Sequence, residues 1–216
     1  MRFVTEAGLL KRVLRQTMLT DPARRENSAE HSWHLAVMAL ALADHAPHGT
    51  DIGRVIAMLL VHDLVEIDAG DLFVYADEAH QMRQEAAERR AADRIFALLP
   101  GDQAVAASGL WDEFEQRRTK EARFARSLDR LQPMLANVQA GGGTWLEHGV
   151  TADQVLAKVE LIDDGSAALG SYARDLVTRA VQAGLLAPPS GEAGPGQAGP
   201  GQAGPGQAGP GQAGQR

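Results

Sequence analysis

The hexapeptide Val61-His62-Asp63-Leu64-Val65-Glu66 closes an apolar run, Val55-Ile56-Ala57-Met58-Leu59-Leu60. A histidine beside an aspartate at the end of so apolar a segment needs partners, because a buried polar or charged group left unpaired is costly. Imidazole and carboxylate together suit a divalent cation of the N/O type. Glu66 follows His62 by four residues and Asp63 by three, spacings that bring all three side chains toward one face of a helix. Two readings are open here. One is a metal-ligand pair with an acid/base carboxylate beside it. The other is a helix end where His62 caps carbonyls and Asp63 pairs with an arginine.

Working outward, Thr50-Asp51 caps the helix that carries this hexapeptide, and Gly70 stops it or makes a tight turn. Asp71 then falls on a loop close to Glu66, as a site residue or as a turn residue. Leu72-Phe73-Val74-Tyr75 reads as a short apolar loop. Upstream, Asn27 or Ser28 caps a helix running to about His45, with Glu30 in its acidic first turn. His31 sits in that first turn, where a side chain can face a cleft, while His34 reads as a surface residue. Thr5–Met18 reads as the first helix, from the spacing of Leu9, Leu10, Val13, Leu14 and Met18, and Thr20-Asp21-Pro22 breaks it. Arg15 lies on its basic flank with Lys11 and Arg12, by default a solvated face.

Downstream, a long amphipathic helix spans about Ala76–Leu99, ended by Pro100-Gly101, and another spans Asp102–Gln116. Thr119 caps a helix with Phe124, Leu128, Leu131, Met134, Leu135 and Val138 on one stripe. Asp129 lies inside it, flanked by core positions, and either serves a site or pairs with Arg126 or Arg130. Gly141-Gly142-Gly143 is a turn without the Lys-Ser or Lys-Thr of a phosphate loop. Two more helices lie near Thr151–Leu161 and Asp163–Leu185.

This pattern, rich in Ala, Leu and Val and poor in strand-favouring aromatics, predicts one all-α helical bundle over residues 1–187. Pro188–Arg216, with Gly-Pro-Gly-Gln-Ala repeating from Gly194 to Ala213, is expected to be a disordered tail. The absence of cysteine excludes a disulfide framework and a thiolate metal site. A net charge of −7 argues against a nucleic-acid polymer as partner. With no signal-like or membrane-length apolar run, a cytoplasmic protein with no membrane partner is expected.

His31, the His62-Asp63 pair and Asp129 thus fall on three predicted helices, the pattern of a metal site built between facing helices of a bundle. The spread His31 … His62-Asp63 … Asp129 resembles the signature of the HD-domain metal-dependent phosphohydrolases. Arg15, Glu30-His31-Ser32, His62-Asp63 with Glu66, and Gly70-Asp71-Leu72 resemble its 5′-deoxynucleotidase branch.

The resemblance implies one divalent cation, of unspecified identity among Mn, Co, Mg, Zn and Fe, held by His31, His62, Asp63 and Asp129. It implies that Glu66 orients or deprotonates the attacking water, that Asp71 assists at the leaving-group side, and that Arg15 clamps the substrate phosphate. The implied substrate is a (deoxy)nucleoside monophosphate losing its 5′-phosphate, and the implied assembly is a homodimer. Phe73-Val74 stands where the deoxynucleotidases often carry Pro-Thr, so a different pocket loop is expected. Hydrolysis of another phosphoester, or a non-catalytic metal-binding helical module, are the alternatives.

Overall fold

Helix α7 (Lys120–Gln139) is the post on which most of the longer helices lean. Thr119 caps it by accepting from the Ala122 N–H, and Phe124, Leu128, Leu131 and Met134 then fall on one buried stripe, as their spacing predicts. The structure, a computed structural model, describes residues 1–19 and 24–191. Before α7 come α1 (Arg2–Ala7), a 3-10 turn (Gly8–Arg12), β1 (Leu14–Met18), β2 (Arg25–Asn27), α2 (Ser28–Ala41), a 3-10 turn (Ala43–His45) and α3 (Ile52–Val61). A further 3-10 turn (His62–Val65), α4 (Glu66–Ala69), α5 (Glu78–Phe96) and α6 (Gly101–Gln116) complete the first half. After α7 come α8 (Gly143–Glu147), α9 (Ala152–Gly165) and α10 (Ala167–Gln182). The architecture is the expected helical bundle, with one antiparallel strand pair among the described residues.

Two apolar cores result. The larger joins α2, α3, α7, α9 and α10 through residues such as Leu35, Met58, Phe124, Leu128, Val155, Ile162 and Leu176. The smaller joins Leu10, Leu64, Val65, Ile95, Phe96 and Trp111. Met58 and Leu59 point into the first, Leu64 and Val65 into the second, so His62-Asp63 sits where the chain passes between them. Burying each large apolar side chain contributes about 1.5–3 kcal/mol, enough for flanking residues to carry a polar pair into the interior. Gly165 lets α9 approach α7 closely: a Cβ there would stand 2.2 Å from the Arg123 carbonyl oxygen and from Ser127 Oγ.

The N-terminal segment departs from expectation. The predicted helix Thr5–Met18 ends as an α-helix at Ala7, and Val13 is already extended, with φ −80° and ψ 113°. Leu14–Met18 pairs with Arg25–Asn27 in the register Leu14↔Asn27 and Met18↔Arg25, with an irregularity between. Leu14 is 59% exposed, so the apparent helical stripe was no buried face. Tertiary pairing overrides the local pattern, because the strand carries Arg15 in among buried carboxylates. The expected break at Thr20-Asp21-Pro22 lies outside the described residues.

Other differences are smaller. The helix expected to run through His62 and Glu66 changes to a 3-10 turn at His62, and α2 stops at Ala41. The last two helices part at Ser166, which caps α10 by accepting from the Leu169 N–H and donates to the His45 carbonyl. Past Ala187, whose carbonyl accepts from the Ala152 N–H, the chain stays on the helices as far as Ser190, bonded to Asp153 at 3.1 Å. The repeats of the expected tail lie outside the described residues.

Candidate metal centre

His62 is oriented from behind. Its Nδ1 lies 2.9 Å from the Leu59 carbonyl oxygen, which can only accept, so Nδ1 carries the proton and Nε2 presents its lone pair. Nε2 is buried and makes no hydrogen bond, although Asp63 Oδ1 is 3.0 Å away.

His31 follows the same logic. The capping box of Asn27 and Glu30 starts α2 and sets His31 in its first turn, fully buried. Its Nδ1 faces Gln132 Oε1 at 3.1 Å, and Gln132 Nε2 donates to Glu26 Oε1 at 2.9 Å. The Glu26 carboxylate fixes the amide, so Nδ1–H donates to Gln132 and the lone pair of Nε2 faces Asp129 Oδ1 at 3.1 Å.

Asp129 Oδ1 therefore lies 3.1 Å from one imidazole Nε2 and 3.8 Å from the other, while its Oδ2 faces Arg126 at 3.3 Å and Arg130 at 3.6 Å. One oxygen of Asp129 thus faces the two imidazoles while the other makes the arginine contacts. Candidate ligand atoms of His31, His62 and Asp63 lie within 4.8 Å of one another. Lone pairs converging on carboxylate oxygens repel unless a cation stands between them. This donor set of imidazoles and carboxylates fits a divalent ion. Without an ion a proton takes that place: burial disfavours a charged imidazole, yet Asp63 and Asp129 outweigh it and hold His62 up at about 10. Burial works against the Asp63 charge as well, but His62 and Arg15 bring it down to about 2.

Arg15 stands at the centre of an anionic shell. Its Nη1 is 3.0 Å from Asp63 Oδ2, 3.6 Å from Asp71 Oδ1 and 3.9 Å from Glu66 Oε1, and its Nε is 3.7 Å from Glu26 Oε2. The expected solvated face is absent here, since the side chain is 11% exposed. Glu66 accepts from Ser28 Oγ–H at 2.6 Å. Burial and the Asp63 charge push its carboxyl well above the ordinary range. Asp71 follows Gly70, whose φ of 74° makes the turn, and accepts from the Gln16 N–H at 3.2 Å. Burial raises its pKa too, against Arg15. Arg24 and Arg25 are engaged elsewhere, with Glu30 and Glu147.

The structure thus brings Arg15, His31, His62, Asp63, Glu66, Asp71 and Asp129 around one cavity of about 330 Å³ or its buried floor. Phe73 and Tyr75 also line it, with ring centroids 5.3 Å apart. Sequence reasoning missed Glu26, Ser28 and Gln132. Only Gln132 carried a signal, three residues after Asp129 on the same helix face. No helix among the described residues is long and apolar enough to cross a membrane.

Residues 7–169 match the family model described as HD domain. The chain is 32% identical over 149 residues to the human protein named 5′-deoxynucleotidase HDDC2, covering 68% of this chain and 70% of that one. It is 26% identical to the 5′-deoxynucleotidase of Erwinia tasmaniensis, over 72% of this chain and 83% of that one. Among solved structures it is similar to a predicted metal-dependent phosphohydrolase from Magnetospirillum magnetotacticum. Identity there is 56% and the TM-score 0.83, covering 87% of this chain and 93% of that one.

Proposed function

This chain belongs to the HD domain family and is a metal-dependent phosphohydrolase, and we propose that it removes the 5′-phosphate of (deoxy)nucleoside monophosphates. The observation that carries the proposal is the pairing of two imidazole lone pairs with carboxylate oxygens at the floor of a cavity that Phe73 and Tyr75 also line. A phosphate can sit over the charged floor while an apolar ring system reaches Phe73 and Tyr75. The names of the relatives support the nucleotide reading.

In this reading His31, His62, Asp63 and Asp129 hold the divalent cation. A cation so held supplies positive charge to the phosphoryl oxygens and makes a nearby water more acidic. Glu66, anchored through one oxygen by Ser28, turns the other toward Arg15 and the cavity, where it orients the attacking water and takes its proton. Asp71 lies beside the same Arg15 Nη1 and serves the leaving oxygen. Arg15 keeps Asp63, Glu66 and Asp71 in register and presents its guanidinium to the phosphate from that side.

The test is phosphate release from a panel of nucleoside 5′-monophosphates and other phosphoesters, with and without a chelator. Release from the nucleotides, lost on chelation and restored by a divalent ion, is expected. Cleavage confined to another ester would move the substrate. No cleavage by the metal-loaded protein would leave a metal-binding helical module.

A further inference from the structure

The cavity is electrically lopsided. On the Arg15 side one cation faces the four carboxylates of Glu26, Asp63, Glu66 and Asp71. Arg126 and Arg130 from α7 and Lys158 from α9 line the same cavity. Their carboxylate partners within ion-pair distance are Asp129, which both arginines share, and Glu115, held by Arg126 at 3.1 Å. Arg130 reaches Asp129 only at 3.6 Å, and its Nε is buried without a hydrogen bond. Lys158 has no ion pair among the described residues. Burial, and then the Arg130 charge, press on its ammonium and lower its pKa.

Within ion-pair distance these three cations thus meet two carboxylates among the described residues, and Asp129 turns its other oxygen to the candidate metal centre. Arg15 is shared among four carboxylates, so a dianion beside it calls for further positive charge.

We propose that Arg130 and Lys158 form the phosphate seat of the cavity, receiving the phosphoryl oxygens of a phosphomonoester dianion bound over the His31–His62–Asp63–Asp129 floor. This rests on the phosphohydrolase reading of that floor but not on the identity of the esterified alcohol. Arg130, tied to Asp129, sets the guanidinium fork beside the centre. Lys158 closes the seat as a mobile point charge from a second helix. Free inorganic phosphate, the product, occupies the same place and acts as a competitive inhibitor.

Isothermal titration of the metal-loaded protein with inorganic phosphate tests this directly. Lys158→Met is the deciding variant, because among the described residues Lys158 makes no ion pair with another side chain. Its phosphate affinity should fall about 10-fold or more, the usual consequence of losing a charge-assisted hydrogen bond. Lys158→Arg should restore it, and metal content should stay at the wild-type level in both. KM should rise in Lys158→Met with kcat less affected. An unchanged phosphate affinity in Lys158→Met overturns the proposal. So does a loss that Lys158→Arg fails to restore, or a wild-type protein that binds metal but no phosphate. If phosphate binding behaves as expected while no nucleotide is hydrolysed, the nucleotide reading fails and the seat stands.

Discussion

Glu66 differs from the four floor residues in what surrounds it. One oxygen is held by Ser28 and the other lies 3.9 Å from Arg15, while the imidazole lone pairs already face Asp63 and Asp129. Glu66→Gln keeps the size and the Ser28 bond but cannot accept a proton. Metal content should survive while kcat falls by roughly 10²–10⁴, with little change in KM. Metal loss in this variant would place Glu66 among the ligands instead. Asp63 sits differently, 3.0 Å from both His62 Nε2 and Arg15 Nη1. Asp63→Ala should lose both the metal, measured by elemental analysis after dialysis, and the activity. Wild-type metal retention would exclude Asp63 from the ligand set.

At the scale of an element, α5 forms one rim of the cavity through Gln84 and Glu88. Burial raises the Glu88 carboxyl to about 7, against the hydrogen bond from Gln84. A carboxyl raised in the folded state costs no stability below its ordinary value near 4.5. The cost grows as pH rises toward 7, because the unfolded chain ionises first, and it persists above that. Glu88→Gln should therefore raise the melting temperature at pH 8 and leave it unchanged at pH 4. A shift of equal size at both pH values would show that ionisation is not the cause. The α7–α9 contact makes a second element-scale prediction. Gly165→Ala puts a Cβ within 2.2 Å of the Arg123 carbonyl oxygen, so α9 must move. A loss of about 1–3 kcal/mol in urea unfolding is expected, the usual cost of overpacking. The wild-type midpoint in that variant would mean that the helices have slack there.

For the whole molecule, the last contacts of the described chain with the helices are those of Ser190 with Asp153 and Thr151. Residues 192–216, whose composition cannot supply a core, should be dispensable. A chain ending at Gly191 should keep the melting temperature and turnover of the full protein, whereas a drop in either would assign the repeats a place on the domain. Cutting at Ala187 instead removes Ser190 and should loosen the start of α9 next to Thr151.

The sequence by itself determined the bundle and the local placement of the candidate site residues. Periodicity placed Asp129 on a core-facing helix, the Asn27 cap placed His31 in a first turn, and the spacing of His62, Asp63 and Glu66 kept them together. Those are local properties, expressed within a few residues. Tertiary structure decided the rest. Local pattern read Arg15 as helical and solvated; pairing with Arg25–Asn27 made it a buried strand residue among four carboxylates. The tautomer of His31 depends on Gln132 and Glu26, residues 106 positions apart. Arg126 and Arg130 were legible only as partners of Asp129, and Lys158 carried no signal, yet folding brings all three to the lining of one cavity. Charge balance in a buried site is a sum over neighbours that meet only when the chain is folded, so no window of sequence contains it.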